Sequence, residues 1–419
     1  MSHRDPEGPS SAERFININE GETGSFMSAT YKPAYAFSTD RTLGDLPSKM
    51  EESLFQEDLQ LHANRKHASG LWQLAVCSSP GRHQFGSGFF LSQPFSLDAE
   101  LQTLFKWRGI SSFDRYILFA SANQVFRNEG VDGPMFMAEV AATPNQHVFT
   151  PPRLYKLLAR PSTPRYENVS TKMDSPSLAI AAGQGFRPLP EDISSSVDRS
   201  ADFVIGILPC HDMWFKRMTP TAVQSMPPYF FVPSATPAVP GGDDIMVATG
   251  YPCAPTPKHL EEIYGVDDDS MGNAMEQYRA LALANTLSAS AGDVIAVGRA
   301  RIKHRCSTAL GMSGGPVWPL HAPCTFKAIH CGSSGTNNRA NFNHAYNVHD
   351  DLFVMNYVRF VLPVLSKASP QDWPQPYMQR EVTNYVLAHK QLLQQHVVEG
   401  RTLWSNADAF IHVSQKESS

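Results

Sequence analysis

The feature that most constrains the fold of this 419-residue chain is a serine set among glycines, Gly311-Met312-Ser313-Gly314-Gly315-Pro316. Given the chain's own glycine, serine and proline content, five fixed residues in this order would arise by accident in roughly one chain in a thousand. Glycine adopts backbone conformations with positive φ that other residues avoid, so this cluster predicts a tight turn. The structural alternative to a functional turn is a glycine-rich β-hairpin with a buried serine.

Further segments along the chain have the apolar, β-branched and aromatic composition of strands. They are residues 71–77, 86–91, 201–208, 245–252, 326–332 and 343–348. In this order, and with the serine turn before the last two, they resemble the chymotrypsin/trypsin-like serine peptidase family over residues from about 70 to 366. The resemblance implies an all-β fold of two antiparallel Greek-key β-barrels, with inserted and terminal helices.

The same resemblance divides the chain into a leader, a peptidase-like domain and a C-terminal extension. The predicted boundaries are 1–66 for the leader, 67–366 for the domain and 367–419 for the extension, with barrel 1 at about 67–210, barrel 2 at about 240–350 and a closing helix at 352–365. Outside the strands, apolar residues at helical spacing predict helices over 46–61, 258–264, 270–287 and 379–399. The proline- and serine-rich segment 133–199 is expected to form long loops.

The resemblance assigns catalytic roles to residues in the matching segments. Ser313 is the nucleophile, Asp202 is the acid that orients the base, and the N–H groups of Gly311 and Ser313 form the oxyanion hole. A serine hydroxyl is a poor nucleophile at neutral pH, so this chemistry needs an imidazole to take the proton. The matching position holds Asn123, or Gln124 if the register shifts by one. Neither carboxamide exchanges a proton near pH 7, so the base is predicted to be missing.

Several hypotheses about function stay open at this point. The base could come from another histidine upstream of Asp202, namely His62, His67, His83 or His147, or a parental histidine at position 123 has been replaced. The chain is then an inactive or inactivated homologue that binds peptides, or a working serine endopeptidase. A third hypothesis is a structural or interaction protein that keeps the serine turn as a relic of the fold.

A candidate pocket for a substrate side chain follows from a narrower resemblance. His330 resembles the histidine that viral 3C-like and glutamyl-specific peptidases place in the wall of the primary pocket, where it meets a Glu or Gln side chain. Ser307, Thr308 and Gly332 would line the same pocket, and the two hydroxyl groups could donate hydrogen bonds to the bound side chain. The alternative for His330 is an ordinary half-buried histidine on a strand.

Composition narrows the partners and the compartment. The formal net charge of −5 argues against general nucleic-acid binding. The resemblance to peptidases implies a polypeptide substrate or peptide segment as the partner. The six cysteines show neither close metal-ligand spacing nor a disulfide framework, so we expect no metal, no cofactor and a reducing compartment. A polar N-terminus and the lack of 18 successive apolar residues predict an intracellular, cytoplasmic protein without a membrane span. The sequence leaves the oligomeric state open.

Overall fold

The structure is a computed structural model. It describes residues 35–36, 70–79, 82–105, 115–126, 136–141, 155–157, 177–178, 202–210, 230–241, 245–253, 256–264, 267–281, 288–306, 308–322, 324–333, 343–398 and 400–417.

Strands dominate the described residues before position 350. In chain order they are β1 Tyr35–Ala36, β2 Leu71–Ser79, β3 Arg82–Phe90, β4 Arg115–Ser121, β5 Phe136–Ala141, β6 Tyr155–Leu157, β7 Ser177–Leu178, β8 Val204–Cys210, β9 Val232–Pro233, β10 Met246–Gly250, β11 Ser288–Gly292, β12 Val294–Val297, β13 Arg301–His304, β14 Pro316–Pro319, β15 Thr325–Phe326, β16 Ala328–Ser333, β17 Asn343–Asn347, β18 Val397–Val398 and β19 Arg401–Thr402. The α-helices are α1 Ala99–Leu104, α2 Pro257–Tyr264, α3 Asp268–Leu281, α4 Asp351–Asn356, α5 Leu362–Leu365, α6 Tyr377–Ala388, α7 Lys390–Gln395 and α8 Trp404–Glu417.

Two large sheets contain most of these strands. The first has seven strands in the order β7-β6-β5-β2-β3-β4-β8, and the second has eight in the order β1-β11-β10-β14-β16-β17-β13-β12. Neighbouring strands in both sheets are antiparallel except β6 and β7. The mainly-β content is consistent with the expected chymotrypsin-like fold. The pairings among the described strands give two open sheets, and these pairings alone do not close either sheet into a Greek-key barrel.

The two sheets share one apolar core with the helices that follow them. Strand β4 is buried from Tyr116 onward, and all five residues of β10 are buried, as expected for strands covered on both faces. One buried cluster extends from Phe89 on β3 to Trp318 on β14 and to the helices near the C-terminus. A second, smaller cluster lies within the eight-stranded sheet around Ile302.

The closing helix forms within the predicted range, but it is not uniform. It begins at α4, where the Asp350 carboxylate accepts a hydrogen bond from Leu352 N at 3.1 Å and so caps the first turn. A π-helical stretch, Tyr357–Val361, joins α4 to α5. Pro363 lacks the N–H that would bond to Arg359, and the helix widens directly before it.

Other predicted elements differ in detail from the structure. Segment 133–199 is not loop throughout, because β5, β6 and β7 lie in it and extend the seven-stranded sheet. The predicted single helix over 379–399 is wrong in its bounds: α6 begins at Tyr377, the chain turns at His389, and α7 ends at Gln395. Strands β18 and β19 and helix α8 follow, none of which the sequence pattern identified. The leader helix over 46–61 lies outside the described residues.

In the part of the chain that the structure describes, no helix is long and apolar enough to cross a membrane.

Candidate functional site

The serine turn precedes β14 and is fixed by its own backbone. Gly311 and Gly314 have φ values of +91° and +92°, in the region that favours glycine. The Met312 N–H donates to Ala309 O and the Gly315 N–H donates to Met312 O, both at 3.1 Å. These residues therefore form the tight turn that the glycines predict.

Backbone from both sheets packs against the two glycines. A Cβ at Gly311 would lie 2.6 Å from the Tyr251 carbonyl oxygen, just after β10. At Gly314 it would lie 2.1 Å from the Ser87 carbonyl oxygen and 2.2 Å from Ser121 Oγ. The turn thus lies between the end of β10 and the strands β3 and β4, with no room for a larger residue at either position.

Two serines of the seven-stranded sheet bind the turn across the junction of the sheets. The Ser87 N–H donates to Ser313 O at 2.7 Å, and its hydroxyl donates to Gly311 O at 2.8 Å. The same hydroxyl accepts from Tyr251 N at 2.8 Å, and Ser121 Oγ donates to Ser87 O at 2.7 Å. Ser87 therefore joins β3, the end of β10 and the serine turn in one buried network, which fixes where the Ser313 backbone lies.

Asn123 lies directly beside this turn. It is the first residue of a 3₁₀ helix, Asn123–Phe126, that follows β4, and its side chain is completely buried. Its neighbour Ala122 has its N atom 2.9 Å from the position that a Gly314 Cβ would occupy. Gln124 lies in the same 3₁₀ helix, and its side chain is not among those described. The residue that the sequence matched to the base thus lies just after a strand, next to the serine turn.

Asp202 lies at the same edge of the sheet. Strand β4 pairs with β8 so that Ser121 faces Val204; Asn123 follows the end of β4 and Asp202 precedes the start of β8, so both lie at the same end of this strand pair. Asp202 is 5% exposed, and its Oδ2 atom lies 3.6 Å from Nη1 of Arg301, the first residue of β13. A cation from the other sheet therefore contacts the carboxylate that the sequence identified as the acid.

The Ser313 hydroxyl points at the neighbouring strand β16. It donates to the Cys331 carbonyl oxygen at 3.0 Å, and the Cys331 thiol in turn contacts the Asp202 carbonyl oxygen at 3.5 Å. Burial raises the pKa of the Cys331 thiol well above its usual value, with the nearby Asp202 charge adding to the effect, so this sulfur stays protonated at neutral pH. A carbonyl oxygen accepts a hydrogen bond but does not remove the proton, so this contact by itself supplies no base.

The predicted pocket residues lie next to the turn where the structure describes them. The Gly314 N–H donates to His330 O at 2.7 Å and the His330 N–H donates to Gly315 O at 2.8 Å, which binds β16 to the serine turn. Thr308 is buried, and Gly332 has a φ of +150° where the pairing of β16 with β17 shifts register. Ser307 lies outside the described residues.

The His330 side chain belongs to a buried group of histidines. Its ring meets that of His304 edge-on, with centroids 5.5 Å apart. Burial, with the charge of nearby His344, lowers the pKa of His330 to about 3, and burial lowers the pKa of His304 well below its usual value. Both imidazoles are therefore neutral at pH 7. Within the described residues, His330 Nδ1 has no hydrogen-bond partner.

The alternative bases remain predictions. His62, His67 and His147 lie outside the described residues, and His83 lies in β3 with a side chain that is not described. No disulfide involves the four cysteines whose side chains the structure describes. Across the same described portion, no group of three or more His, Cys, Asp or Glu side chains is arranged to hold a metal ion.

Sequence reasoning missed four residues that contact the site. Ser87 belongs to the strand motif Gly-Ser-Gly-Phe, but that motif identifies a strand and not the partners of its hydroxyl. Ser121 and Cys331 likewise lie in strands that the family resemblance identifies, and that resemblance does not reveal what these two residues contact. Arg301 lies in β13, which carries no strong apolar pattern, and nothing in the sequence signals that it reaches Asp202.

Comparisons with known proteins give weak likenesses to serine proteases. No family model and no curated protein sequence matches this chain. Among solved structures, the chain is similar to the active form of the Rv3671c protease from M. tuberculosis, with a TM-score of 0.31 and 14% identity over 68% of this chain and 80% of that one. It is also similar to the scabies mite inactivated protease paralogue S-I1, with a TM-score of 0.35 and 13% identity over 73% of this chain and 98% of that one. Neuropsin, a serine protease expressed in the mouse brain, gives a TM-score of 0.32 and 10% identity over 67% of this chain and 90% of that one. With TM-scores below 0.5, these likenesses do not decide the function.

Proposed function

We propose that this chain is a trypsin-like serine peptidase homologue that binds a polypeptide segment and cleaves it poorly or not at all. In this proposal the two-barrel fold keeps Ser313 at the nucleophile position, Asp202 at the acid position and the N–H groups of Gly311 and Ser313 as the oxyanion hole. Asn123 occupies the position of the base. The observation that carries the proposal is the buried placement of Asn123 beside the serine turn, at the strand edge that it shares with Asp202.

The missing base has a large energetic consequence. In serine peptidases, removal of the base lowers kcat by about 10⁶, which corresponds to roughly 8 kcal/mol of transition-state stabilisation. An oxyanion hole and a binding cleft alone still give about 10³ to 10⁴ over the reaction in water. The Ser313 hydroxyl donates to the Cys331 carbonyl oxygen, which is not a general base, so this contact does not replace the missing imidazole. The site is therefore expected to bind a peptide while cleaving it poorly or not at all.

The chemistry of the pocket residues supports a preference for a Gln side chain. His330 is neutral at pH 7 and has a ring nitrogen with no partner among the described residues. A neutral imidazole exchanges hydrogen bonds with a carboxamide without a charge, whereas it offers a carboxylate no compensating positive charge. The buried Thr308 hydroxyl adds a donor beside the turn. We therefore place Gln ahead of Glu, and both ahead of Lys, at this position of the bound peptide.

A peptide titration tests the proposal. Three otherwise identical peptides carry Gln, Glu or Lys at the central position, and binding is followed by calorimetry at pH 7.5 while mass spectrometry reports cleavage. The Gln peptide should bind at least about tenfold more tightly than the Lys peptide, equivalent to about 1.4 kcal/mol, and remain intact. Thr308→Val should weaken Gln-peptide binding several-fold, whereas Thr103→Val on the exposed face of α1 should not.

The other outcomes have distinct meanings. Cleavage of the Gln or Glu peptide at Ser313 would show a working endopeptidase with a base from another part of the chain. If all three peptides fail to bind, the protein uses its fold for structural or interaction purposes, and the proposed function is wrong.

A further inference from the structure

The contact between Asp202 and Arg301 joins the two sheets at the candidate site. Asp202 precedes β8 in the seven-stranded sheet, and Arg301 begins β13 in the eight-stranded sheet. The two side chains are 7% and 19% exposed, and their closest charged atoms are 3.6 Å apart. A carboxylate buried to this degree needs a compensating positive charge or hydrogen bonds, and the guanidinium supplies the charge.

The surroundings keep the guanidinium in this position. Arg301 pairs with Tyr346 in the register of β13 and β17, and its positive charge opposes the rise in the pKa of both the Tyr346 hydroxyl and the Cys331 thiol. Tyr346 donates to the Asp350 carboxylate at 2.6 Å. The guanidinium therefore contacts Asp202 and lies near enough to Cys331 and Tyr346 for its charge to act on both.

We propose that Arg301 is a positioning residue that holds Asp202 as a structural ion pair, so that the site carries a second block to catalysis besides Asn123. This inference rests on the proposed function, because it concerns the same site. In an active triad the buried carboxylate orients the imidazole and stabilises the imidazolium that forms when serine loses its proton. A carboxylate whose charge is already balanced by a guanidinium stabilises an imidazolium much less. Placing a histidine at position 123 is therefore not sufficient to give an active triad.

The test compares how fast a fluorophosphonate labels Ser313 in Asn123→His and in Asn123→His/Arg301→Gln. The single variant should label within a few-fold of the unmodified protein. The double variant should label at least about tenfold faster than the single one, with a rate that rises with pH through the range in which an imidazole loses its proton. Asn123→His/Arg299→Gln is the matched control: Arg299 lies two residues away and pairs with Asp351 at the surface, so its loss should leave the rate of the single variant unchanged.

A second measurement keeps the proposal testable if the double variant does not fold. In Asn123→His alone Arg301 is retained, and the pKa of the introduced imidazole can be followed by NMR. The proposal predicts a value at or below the ordinary one of about 6.5, because the Asp202 charge is balanced. A raised pKa in that variant, or equal labelling rates in the folded single and double variants, would overturn the role of Arg301. The proposed function fails differently, through cleavage by the unmodified protein or through the absence of peptide binding.

Discussion

Gly314 and Gly241 share positive φ values, +92° and +62°, but differ in the space around them. A Cβ at Gly314 would meet Ser87 O at 2.1 Å, whereas a Cβ at Gly241 would meet nothing within 4 Å. We predict that Gly241→Ala lowers the free energy of unfolding by about 1 kcal/mol through backbone strain alone, and that Gly314→Ala lowers it by about 4 kcal/mol or more because a clash with backbone is added. Urea denaturation measures both, and equal losses would contradict the packing described for the serine turn.

Some residues of the site can be identified from a local sequence pattern, and others cannot. Ser313 is identifiable because the glycine pattern around it is specific, and Asn123 because its segment, residues 116–126, resembles the strand that ends in the histidine of the peptidase family. Arg301 is not identifiable, since its contact with Asp202 depends on how two sheets meet and not on any spacing in the sequence. Asn123 and Asp202 lie at one end of the β4–β8 strand pair, next to the turn that contains Ser313. The catalytic roles of the three residues stay predictions.

Helix α6 and the residue after it carry a polar stripe, with one residue at every fourth position, that packs against the rest of the chain. The stripe consists of Tyr377, Glu381, Tyr385 and His389. The four residues contact three parts of the chain before the extension: Tyr377 Oη accepts from Cys324 N, Glu381 accepts from Ala235 N, and the last two contact adjacent residues. Tyr385 donates to Val348 O, and His389 contacts His349. Apolar residues on neighbouring positions, Met378, Val382 and Val386, are buried beside the stripe. The C-terminal extension therefore packs on its own chain through both apolar and directional contacts.

The contact between the two histidines at the end of this stripe requires a neutral His389. His389 Nδ1 lies 2.8 Å from the Tyr385 carbonyl and so carries a proton, which leaves Nε2 to accept from His349 Nδ1 at 3.3 Å. Burial, followed by the charge of His389, lowers the pKa of His349 to about 4, and burial lowers that of His389. Lys327 adds to the lowering at His349, whereas Asp351 opposes it at His389.

We predict that the free energy of unfolding falls as the pH falls from 6.5 towards 4. The lowered pKa values mean that the unfolded chain binds protons that the folded chain excludes, so stability is complete above the ordinary histidine pKa and is lost below it. His304 and His330, whose pKa values are also lowered, contribute to this loss in every variant. Between pH 7.5 and pH 5.5 the loss should therefore be smaller in His349→Gln/His389→Gln than in the unmodified protein, by on the order of 1 kcal/mol. His412→Gln, on the exposed face of α8, should keep the full loss. The same loss in the double variant as in the unmodified protein would exclude this pair as its source.

Sequence periodicity located the helical extension but not its internal breaks. A single helix over 379–399 was expected because valines and leucines recur on one face through that range. At the break, the ring of His389 contacts that of His349, forty residues earlier, and no local sequence pattern predicts this contact. The strands of segment 133–199 were missed for a related reason: their partners in the sheet, and not their composition, make them strands.

At the scale of the whole molecule, a cluster of phenylalanines joins the parts of the fold. Phe326 on β15 packs edge-on against Phe89 on β3, with centroids 4.8 Å apart, and against Phe353 on the closing helix at 6.0 Å. Phe89 also meets Phe231 beside β9. The seven-stranded sheet, the β9–β15 pair and the closing helix are therefore expected to unfold together.

We predict that Phe326→Ala lowers the free energy of unfolding by about 3 to 5 kcal/mol while the transition stays single when followed by circular dichroism and by tryptophan fluorescence. The loss reflects a fully buried ring whose removal leaves a cavity between elements. Val239→Ala, at a side chain that is 55% exposed, should change stability by less than about 0.5 kcal/mol. Two separate transitions in the unmodified protein would show that the parts fold independently.

We propose that no base activates the hydroxyl of Ser313 in this chain. Intact-mass spectrometry of the unmodified protein with a fluorophosphonate tests this most directly, with Ser313→Ala as the control for the labelled position and an active trypsin-like peptidase assayed alongside. We expect labelling of Ser313 to be at least about 10³-fold slower than in the active peptidase, because the proposed site keeps the oxyanion hole but lacks a base. Stoichiometric labelling of Ser313 at a comparable rate would contradict it.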